Sequence, residues 1–186
     1  MRRFLSQLAI LLAVLVVTAT TSETADASDP ENTLFMDLEF GRVVIEMRPD
    51  LAPKTVARVK QLVREKFYDG LTFHRVIGGF MAQGGDPKGN GTGGSGTNLP
   101  AEFSQEEHVR GTVSMARSGH PDSADSQFFI VFARSQWLDG KYTIWGQVTE
   151  GMGFVGQLKR GSQNNNGSVD DPDKIVRMQV AADVKS

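Results

Sequence analysis

Short runs in which apolar and polar side chains alternate recur along this chain, and each run predicts a β-strand with one buried face. The first run, 34–40, faces the interior through its leucines and Met36. The glycine-first pair Gly41-Arg42 then predicts a two-residue hairpin turn. A returning strand is expected over 43–47.

The same alternation predicts further strands downstream. Their expected bounds are 71–77, 111–116, 126–132, 142–148 and 174–184, with a short strand around Met81 and Gln83. A helix is expected from Pro53, which suits a first helical turn, to about Lys66, and a second over 151–159. Many short strands with only two helical segments indicate an all-β barrel or sandwich.

The stretch 67–86 carries polar groups whose positions suggest a site. Period-2 alternation sets Phe73, Arg75 and Ile77 on one face of its strand. His74 falls on the opposite face, and we interpret it as a buried structural histidine and not as a base.

A glycine pair, 78–79, permits a tight reversal after this strand. The chain then returns with Met81 and Gln83 beside Arg75, and Phe80 adds a second apolar group. These residues would gather one guanidinium, one amide and a soft apolar patch on a pleated surface. These residues include no nucleophile, and their spacing is not that of metal ligands. Such a site could hold and polarise a neutral amide, but it has no group that would cleave the amide bond.

The strand at 126–132 has apolar side chains on both faces. Gln127, Phe129 and Val131 share one face, and the intervening residues share the other. One set can fill a core while the other lines a groove, as a closed barrel with an external site requires. The turn at 137–140 carries apolar groups that are expected to be exposed.

The first 27 residues predict a cleaved secretory signal. Two arginines precede an uncharged apolar segment, 8–17, and small residues follow at the position that a signal peptidase reads. The apolar segment is too short to cross a bilayer, which takes about 20 residues; an N-terminal membrane anchor is the alternative. The predicted organisation is a signal peptide at 1–27, a flexible leader at 28–32 and one domain at 33–186.

Composition and motifs argue against several classes of function. The formal net charge is −2 and no basic patch stands out, which argues against nucleic acid as a partner. The chain has no cysteine, so no disulfide can contribute to stability. No motif of a hydrolase or a metalloenzyme occurs. His108 and His120 lie in predicted loops and are expected to face solvent.

The glycine-rich segment that follows residues 67–86 matches the sequence motif of a dinucleotide-binding loop only in the spacing of its glycines. Gly89, Gly91 and Gly94 have the required spacing. No helix pattern follows them and no βαβ unit surrounds them, so we interpret the segment as an ordered surface loop beside the site.

Several blocks of this sequence resemble the cyclophilins, the cyclosporin-binding family of peptidyl-prolyl cis–trans isomerases. In order, they are FYDGLTFHRVIGGFMAQGGD, GNGTGGSG, AEF, GTVSMAR, SQFFI, WLDGKYTIWGQV and EGM. The resemblance implies an all-β-dominated fold: an eight-stranded closed antiparallel β-barrel capped by two α-helices. In that family the inside of the barrel is packed core, and the substrate lies in a groove on the outer surface.

The resemblance also implies roles for individual residues. Arg75 falls on the family's essential arginine and is the expected catalytic residue. Those expected to bind substrate are Phe80, Met81, Gln83, Ala116, Arg117, Gln127, Phe129, Trp137, Leu138 and Tyr142. No cofactor and no metal is implied. Tyr142 departs from the histidine of many eukaryotic members, and Trp137 matches the tryptophan associated with binding of cyclosporin, which we expect as a ligand.

The expected function is that of a secreted, periplasmic prolyl isomerase. It would act on proline-containing polypeptides and assist the folding of exported proteins, as a monomer without stable membrane association after signal cleavage. A non-catalytic chaperone or scaffold that holds proline segments in the same groove is the alternative. The third possibility is a nucleotide-binding protein that uses the glycine-rich loop.

Overall fold

The structure is a computed structural model that describes residues 29–185, and the predicted signal peptide lies outside them. Eight antiparallel strands form one sheet. In chain order they are β1 (Thr33–Leu38), β2 (Gly41–Met47), β3 (Arg75–Ile77), β4 (Met81–Gly84), β5 (Thr112–Met115), β6 (Phe128–Val131), β7 (Ile144–Glu150) and β8 (Ile175–Val180). The α-helices of the described chain are α1 (Pro53–Arg64) and α2 (Met152–Val155).

The sheet has the strand order β3-β4-β6-β5-β7-β2-β1-β8 and curls so that its two ends approach each other. The segment before β3 meets the start of β8 through single backbone contacts. Phe73 N–H donates to the Asp173 carbonyl at 2.9 Å, and Ile175 N–H donates to the Leu71 carbonyl at 2.8 Å. The described sheet is therefore a curled half-barrel, bridged locally between its ends.

The inner face of the sheet forms the hydrophobic core. Val76, Ala82, Ile130 and Val113 are ladder partners in one row across four strands, and all are fully buried. Trp145 of β7 is the largest fully buried side chain. Burial of such side chains stabilises the fold by about 1.5–3 kcal/mol each.

Strand β6 supplies both faces, as its alternation predicts. Phe128 and Ile130 join the core, while Phe129 and Val131 join a smaller apolar cluster with Met81 on the outer face. The predicted division of this strand into a core set and a groove set is confirmed.

The predicted turn at Gly41-Arg42 is wrong by two residues. Leu38 pairs with Gly41 across the β1–β2 hairpin, so Glu39 and Phe40 make the turn. Gly41 begins β2 with φ +145°, and a Cβ at this position would lie 2.6 Å from the Phe154 ring. Both the backbone conformation and the close approach of Phe154 therefore favour glycine at this position.

The predicted strand 71–77 begins only at Arg75. The backbone of residues 71–73 instead forms hydrogen bonds with the chain near β8. The alternation of side chains between two faces therefore does not continue through the whole predicted strand. Phe73 therefore joins Val76 in the core, whereas Arg75 lines a cavity on the outer face. The expectation that Phe73 and Arg75 share a face is wrong.

Two C-terminal elements also differ from the prediction. A register shift between Asp37 and Leu38 of β1 interrupts the pairing with β8. Ile175 and Met178 are consequently both buried, while Val176 is 54% exposed. Helix α2 is a single turn and does not extend over 151–159.

Helix α1 lies against the sheet and begins at Pro53, as predicted. Its buried face includes Val56 and Val59. The helix has no side-chain cap of its own; instead the Glu102 carboxylate accepts from the Lys54 and Thr55 N–H groups at 3.0 and 2.9 Å. An acidic group at a helix N-terminus satisfies unpaired N–H groups and complements the helix dipole. Over residues 29–185, none of the helices has the length and apolar character to cross a membrane.

Candidate active site

A row of ladder partners on the outer face positions the central polar groups. Arg75 on β3 pairs with Gln83 on β4, which pairs with Phe129 on β6. Ser114 on β5 completes the row opposite Phe129. Because ladder partners project on the same side of a sheet, this register places the guanidinium, the amide and the aromatic ring next to one another.

The Arg75 guanidinium is fixed by three hydrogen bonds to uncharged groups. Nη1 donates to Gln83 Oε1 at 3.1 Å, while Nε and Nη2 donate to the carbonyl and side-chain oxygens of Asn166 at 2.9 and 3.0 Å. Partial burial lowers the pKa of Arg75 from its ordinary value, but a guanidinium stays protonated at neutral pH. The site therefore holds an oriented positive charge.

The amides continue this network toward the glycine-rich loop. Gln83 Nε2 donates to Gln127 Oε1 at 2.9 Å. Gln127 Nε2 in turn donates to the carbonyls of Gly91 and Gly93 at 3.1 and 2.8 Å. The loop thus braces the amide next to Arg75, in agreement with its interpretation as an ordered segment beside the site.

An apolar pocket of about 100 Å³ opens beside the guanidinium. Its lining consists of Arg75, Phe80, Met81, Gln83, Ala116, Arg117, Phe129, Leu138 and Tyr142. Met81, Phe129 and Leu138 form a buried floor. The sequence therefore identified residues that the fold gathers around one small cavity.

The remaining predicted binding residues lie at the edges of this pocket. Gln127 lines an adjoining cavity of about 410 Å³ together with Gln83 and Arg117. Trp137 is 60% exposed, and its ring lies 5.4 Å from that of Phe80. The expectation of exposed apolar groups at 137–140 holds for Trp137 only, because Leu138 is buried in the pocket floor.

Tyr142 is held by two neighbours. Its ring packs edge-on against Phe129 with centroids 5.6 Å apart. The Arg117 guanidinium lies over the other side of the ring, 4.8 Å from its centroid. Tyr142 is thus a wall of the pocket with a cation stacked on it.

His108 is fully buried, so the expectation that it faces solvent is wrong. Its ring stacks beneath Phe129 with centroids 6.3 Å apart. Nε2 lies 2.9 Å from Ser114 Oγ, and Nδ1 lies 3.1 Å from Asp139 Oδ1. Burial lowers the pKa of His108, although Asp139 opposes that shift. Asp139 is 31 residues away along the chain, and therefore the surrounding loop residues gave no sign of burial. His120, by contrast, is exposed as expected.

Asn166 is a site residue that the sequence interpretation missed. It follows a short 3-10 turn and has a left-handed backbone conformation, with φ +50°. This conformation lets both its oxygens reach Arg75. Asparagine tolerates left-handed backbone better than most residues, and the Asn-Gly pair 166–167 was the available signal.

His74 is buried, as predicted, and lines a third cavity beside Arg75. Neither ring nitrogen has a hydrogen-bond partner among residues 29–185, and burial lowers the pKa of the ring. Within residues 29–185 no group of three or more His, Cys, Asp or Glu side chains is arranged to hold a metal ion. Around the pocket, the described residues offer neutral amides and two oriented guanidinium groups, those of Arg75 and Arg117, for binding and polarisation.

The fold and this pocket define a curled antiparallel sheet whose outer face carries a small pocket, with an apolar floor of Met81, Phe129 and Leu138 and the Arg75 guanidinium in its lining. The family model of cyclophilin-type peptidyl-prolyl cis–trans isomerases matches residues 33–180. This chain belongs to that family.

Individual relatives agree with this assignment. A probable peptidyl-prolyl cis-trans isomerase of Brucella suis is 54% identical over 175 residues, covering 88% of this chain and 89% of the relative. Cyclophilin AquaCyp293 from Hirschia baltica has a TM-score of 0.75 at 28% identity, covering 84% and 76% of the two chains. A Cryptosporidium parvum cyclophilin, solved in the presence of the dipeptide Ala-Pro, has a TM-score of 0.72 at 26% identity, covering 80% and 98%.

Proposed function

We propose that this chain catalyses rotation about Xaa-Pro peptide bonds, with Arg75 as the catalytic residue and the apolar pocket as the seat of the proline ring. One observation carries the proposal. Arg75 is fixed by hydrogen bonds to uncharged oxygens at the mouth of a pocket with a floor of Met81, Phe129 and Leu138. Family membership and the relative solved in the presence of Ala-Pro support a proline-containing substrate.

The chemistry requires no nucleophile. The barrier to rotation, about 18–20 kcal/mol, comes from amide resonance. When the amide twists, its nitrogen loses conjugation and becomes a hydrogen-bond acceptor. A fixed guanidinium close to that nitrogen therefore stabilises the twisted state more than either planar state, which is the condition for catalysis.

Arg75 alone cannot supply the whole effect. An acceleration of about 10⁵ requires roughly 7 kcal/mol, whereas one hydrogen bond to a charged group contributes about 1.5–3 kcal/mol. The remainder has to come from the pocket, which excludes water, and from Gln83 and Gln127, which would hold the substrate backbone. Several of these residues are therefore expected to matter together.

The deciding experiment measures cis–trans exchange of an Ala-Pro peptide by NMR with wild type, Arg75→Ala and Arg75→Lys. We expect Arg75→Ala to lose at least about 10-fold in kcat/KM and Arg75→Lys to retain part of it. A far-UV circular dichroism spectrum serves as the folding control. Equal exchange rates for folded wild type and Arg75→Ala would favour the alternative, a chaperone or scaffold that binds proline segments without catalysis.

We also propose that the two ends of the eight-stranded sheet join, so that the sheet forms a closed barrel in solution. The backbone contacts that join 71–73 to 173–175 support closure. A hydrogen-exchange measurement checks it: Phe73 and Ile175 amides should be protected as strongly as those within β1. Rapid exchange of both would leave the half-barrel as the correct description.

The predicted signal at 1–27 supports an exported form that assists the folding of exported proteins in the periplasm or outside the cell. On this proposal the mature chain begins near Ser28 and is a monomer without stable membrane association. Cell fractionation, the mass of the mature protein and its sedimentation test these three points. A full-length chain recovered with membranes would favour the anchor alternative.

Cyclosporin binding is proposed from Trp137 and the pocket beside it. Trp137 is 60% exposed next to Phe80, so a ligand that covers the pocket should change its fluorescence. We expect saturable quenching or enhancement on titration. The control is Trp145, which is fully buried in the core and should not respond in a Trp137→Phe variant. No saturable change up to about 50 µM would refute this ligand.

A further inference from the structure

The apolar pocket and the third cavity are both lined by arginines and by no acidic residue. Arg75 and Arg117 both line the pocket, and no aspartate or glutamate does. The same two arginines line the third cavity, again without an acidic neighbour in its lining. The groove is therefore locally cationic on a chain with a formal net charge of −2.

Arg117 is held in place by groups that orient its charge without neutralising it. Nε and Nη2 donate to the Lys141 carbonyl at 3.1 and 3.0 Å, and Nη1 donates to the Ser118 carbonyl at 2.9 Å. Tyr142 supplies a ring face 4.8 Å away. The side chain is only partly exposed, so its guanidinium has a fixed position at the wall of the pocket.

This environment differs from that of the surface arginines. Arg42, Arg64 and Arg134 each form an ion pair with an aspartate, whereas the described residues provide no carboxylate partner for Arg117. An arginine at a surface often has no function beyond solubility. Here, however, backbone carbonyls and an aromatic ring fix the guanidinium beside a pocket that already contains Arg75.

One acidic residue lines the adjoining cavity but not the pocket that holds Arg75. Asp125 lines the 410 Å³ cavity together with Arg117. Its carboxylate already accepts from the backbone N–H groups of Ser95 and Gly96 at 2.8 and 2.9 Å. These bonds engage the carboxylate on the loop side, and it is absent from the lining of the pocket that holds Arg75.

We propose that Arg117 gives the groove a preference for substrates with a carboxylate on the residue immediately before the proline. This inference rests on the proposed function. Arg117 borders both the pocket for the proline ring and the adjoining cavity, so it lies where the side chain next to the proline has to pass. A glutamate or aspartate there gains an ion pair that its neutral isostere lacks, and a lysine meets two like charges.

The experiment compares three peptides that differ only before the proline: Glu-Pro, Gln-Pro and Lys-Pro. Both kcat/KM and the dissociation constant are measured for wild type, Arg117→Gln, Arg117→Lys and Arg42→Gln. Arg42 is the matched control because it also stacks on a ring, that of Phe35 at 4.5 Å, but lines none of the groove cavities. The readout is the Glu:Gln ratio within each protein, which is independent of any general loss in a variant.

We expect wild type and Arg42→Gln to prefer the Glu peptide about fivefold, as a partly exposed ion pair allows. The ratio should fall below about twofold in Arg117→Gln and stay near the wild-type value in Arg117→Lys. In wild type it should shrink as salt rises from 0.1 to 1 M, where the screening length falls from about 10 to 3 Å. The salt series needs no variant and tests whether the preference is electrostatic; Arg117→Lys, which keeps the charge, and Arg42→Gln then assign it if Arg117→Gln does not fold.

The outcomes separate the two proposals. A ratio near one in wild type at low salt, or an unchanged ratio in folded Arg117→Gln, overturns the preference while activity on the Gln peptide still supports isomerisation. A protein that accelerates none of the peptides but binds the Glu peptide more tightly overturns the proposed function and keeps the preference.

Discussion

Asn166 is a positioning residue whose contribution can be isolated by one substitution. It supplies two of the three hydrogen bonds that hold Arg75, one from its backbone carbonyl and one from its side chain. In Asn166→Gly the carbonyl remains, and only the 3.0 Å bond that Arg75 Nη2 donates to Oδ1 is lost. Glycine also adopts the left-handed conformation of this residue, φ +50°, without strain.

The magnitude follows from the environment of that bond. A hydrogen bond to a charged group contributes about 1.5–3 kcal/mol, and exposure of Asn166 reduces this to about 1 kcal/mol because water can replace the lost partner. If the bond orients the guanidinium for the twisted amide, kcat/KM falls about fivefold. Global stability should change by less than about 0.5 kcal/mol, because relief of strain offsets the greater freedom of glycine in the unfolded chain.

The assay is exchange of an Ala-Pro peptide followed by NMR, with urea unfolding of each variant. Asn164→Gly is the matched control, since Asn164 is on the same loop and its side chain makes no hydrogen bond to Arg75. Asn166→Asp should lower activity further, because a carboxylate would neutralise part of the Arg75 charge. If Asn166→Gly retained wild-type kcat/KM, Gln83 and the backbone carbonyl alone would suffice to hold Arg75.

Two further predictions concern stability. Burial lowers the folded-state pKa of His108 below its unfolded value near 6.5, so the unfolded state binds more protons and the free energy of unfolding should decrease as pH falls from about 6.5 to 5. Urea unfolding across that window should show a shallower pH dependence for His108→Asn; an identical slope would mean that this ring does not titrate with unfolding. Glu102→Gln removes the negative charge of the carboxylate that accepts from two N–H groups of α1. We expect it to lower the free energy of unfolding by about 1–2 kcal/mol, measured as a shift in the urea midpoint. A midpoint equal to that of wild type would show that the helix N-terminus does not need the charged carboxylate.

The sequence predicted best where local alternation decides the structure. Strand β6 has no irregularity, so its period-2 pattern assigned Phe128 and Phe129 to opposite faces correctly. The pattern failed at Phe73 and at β8, where the backbone leaves the ladder or shifts its register. Such irregularities arise from pairing with a distant strand, and no local feature of the sequence marks them.

The candidate site likewise contains residues that the sequence predicted and residues that it did not. Its wall and floor were predicted because motif blocks of the family carry those residues. His108 and Asn166 were missed because their roles depend on contacts across long stretches of chain: Asp139 is 31 residues from His108 and Arg75 is 91 residues from Asn166. Tertiary contacts of this kind bring a loop residue under the pocket floor or against the Arg75 guanidinium, and residue type alone cannot report them.

The placement of the site on the outer face of core strands ties its geometry to the fold. In β6, Ile130 is in the core row while its neighbour Phe129 is the pocket floor, and in β4 Ala82 and Gln83 are divided in the same way. A slip of one residue in either strand would exchange core and groove side chains. The hydrophobic core therefore fixes the register that aligns Arg75, Gln83 and Phe129. For this reason a cation can be held at a constant position beside an apolar pocket without a carboxylate partner that would neutralise it.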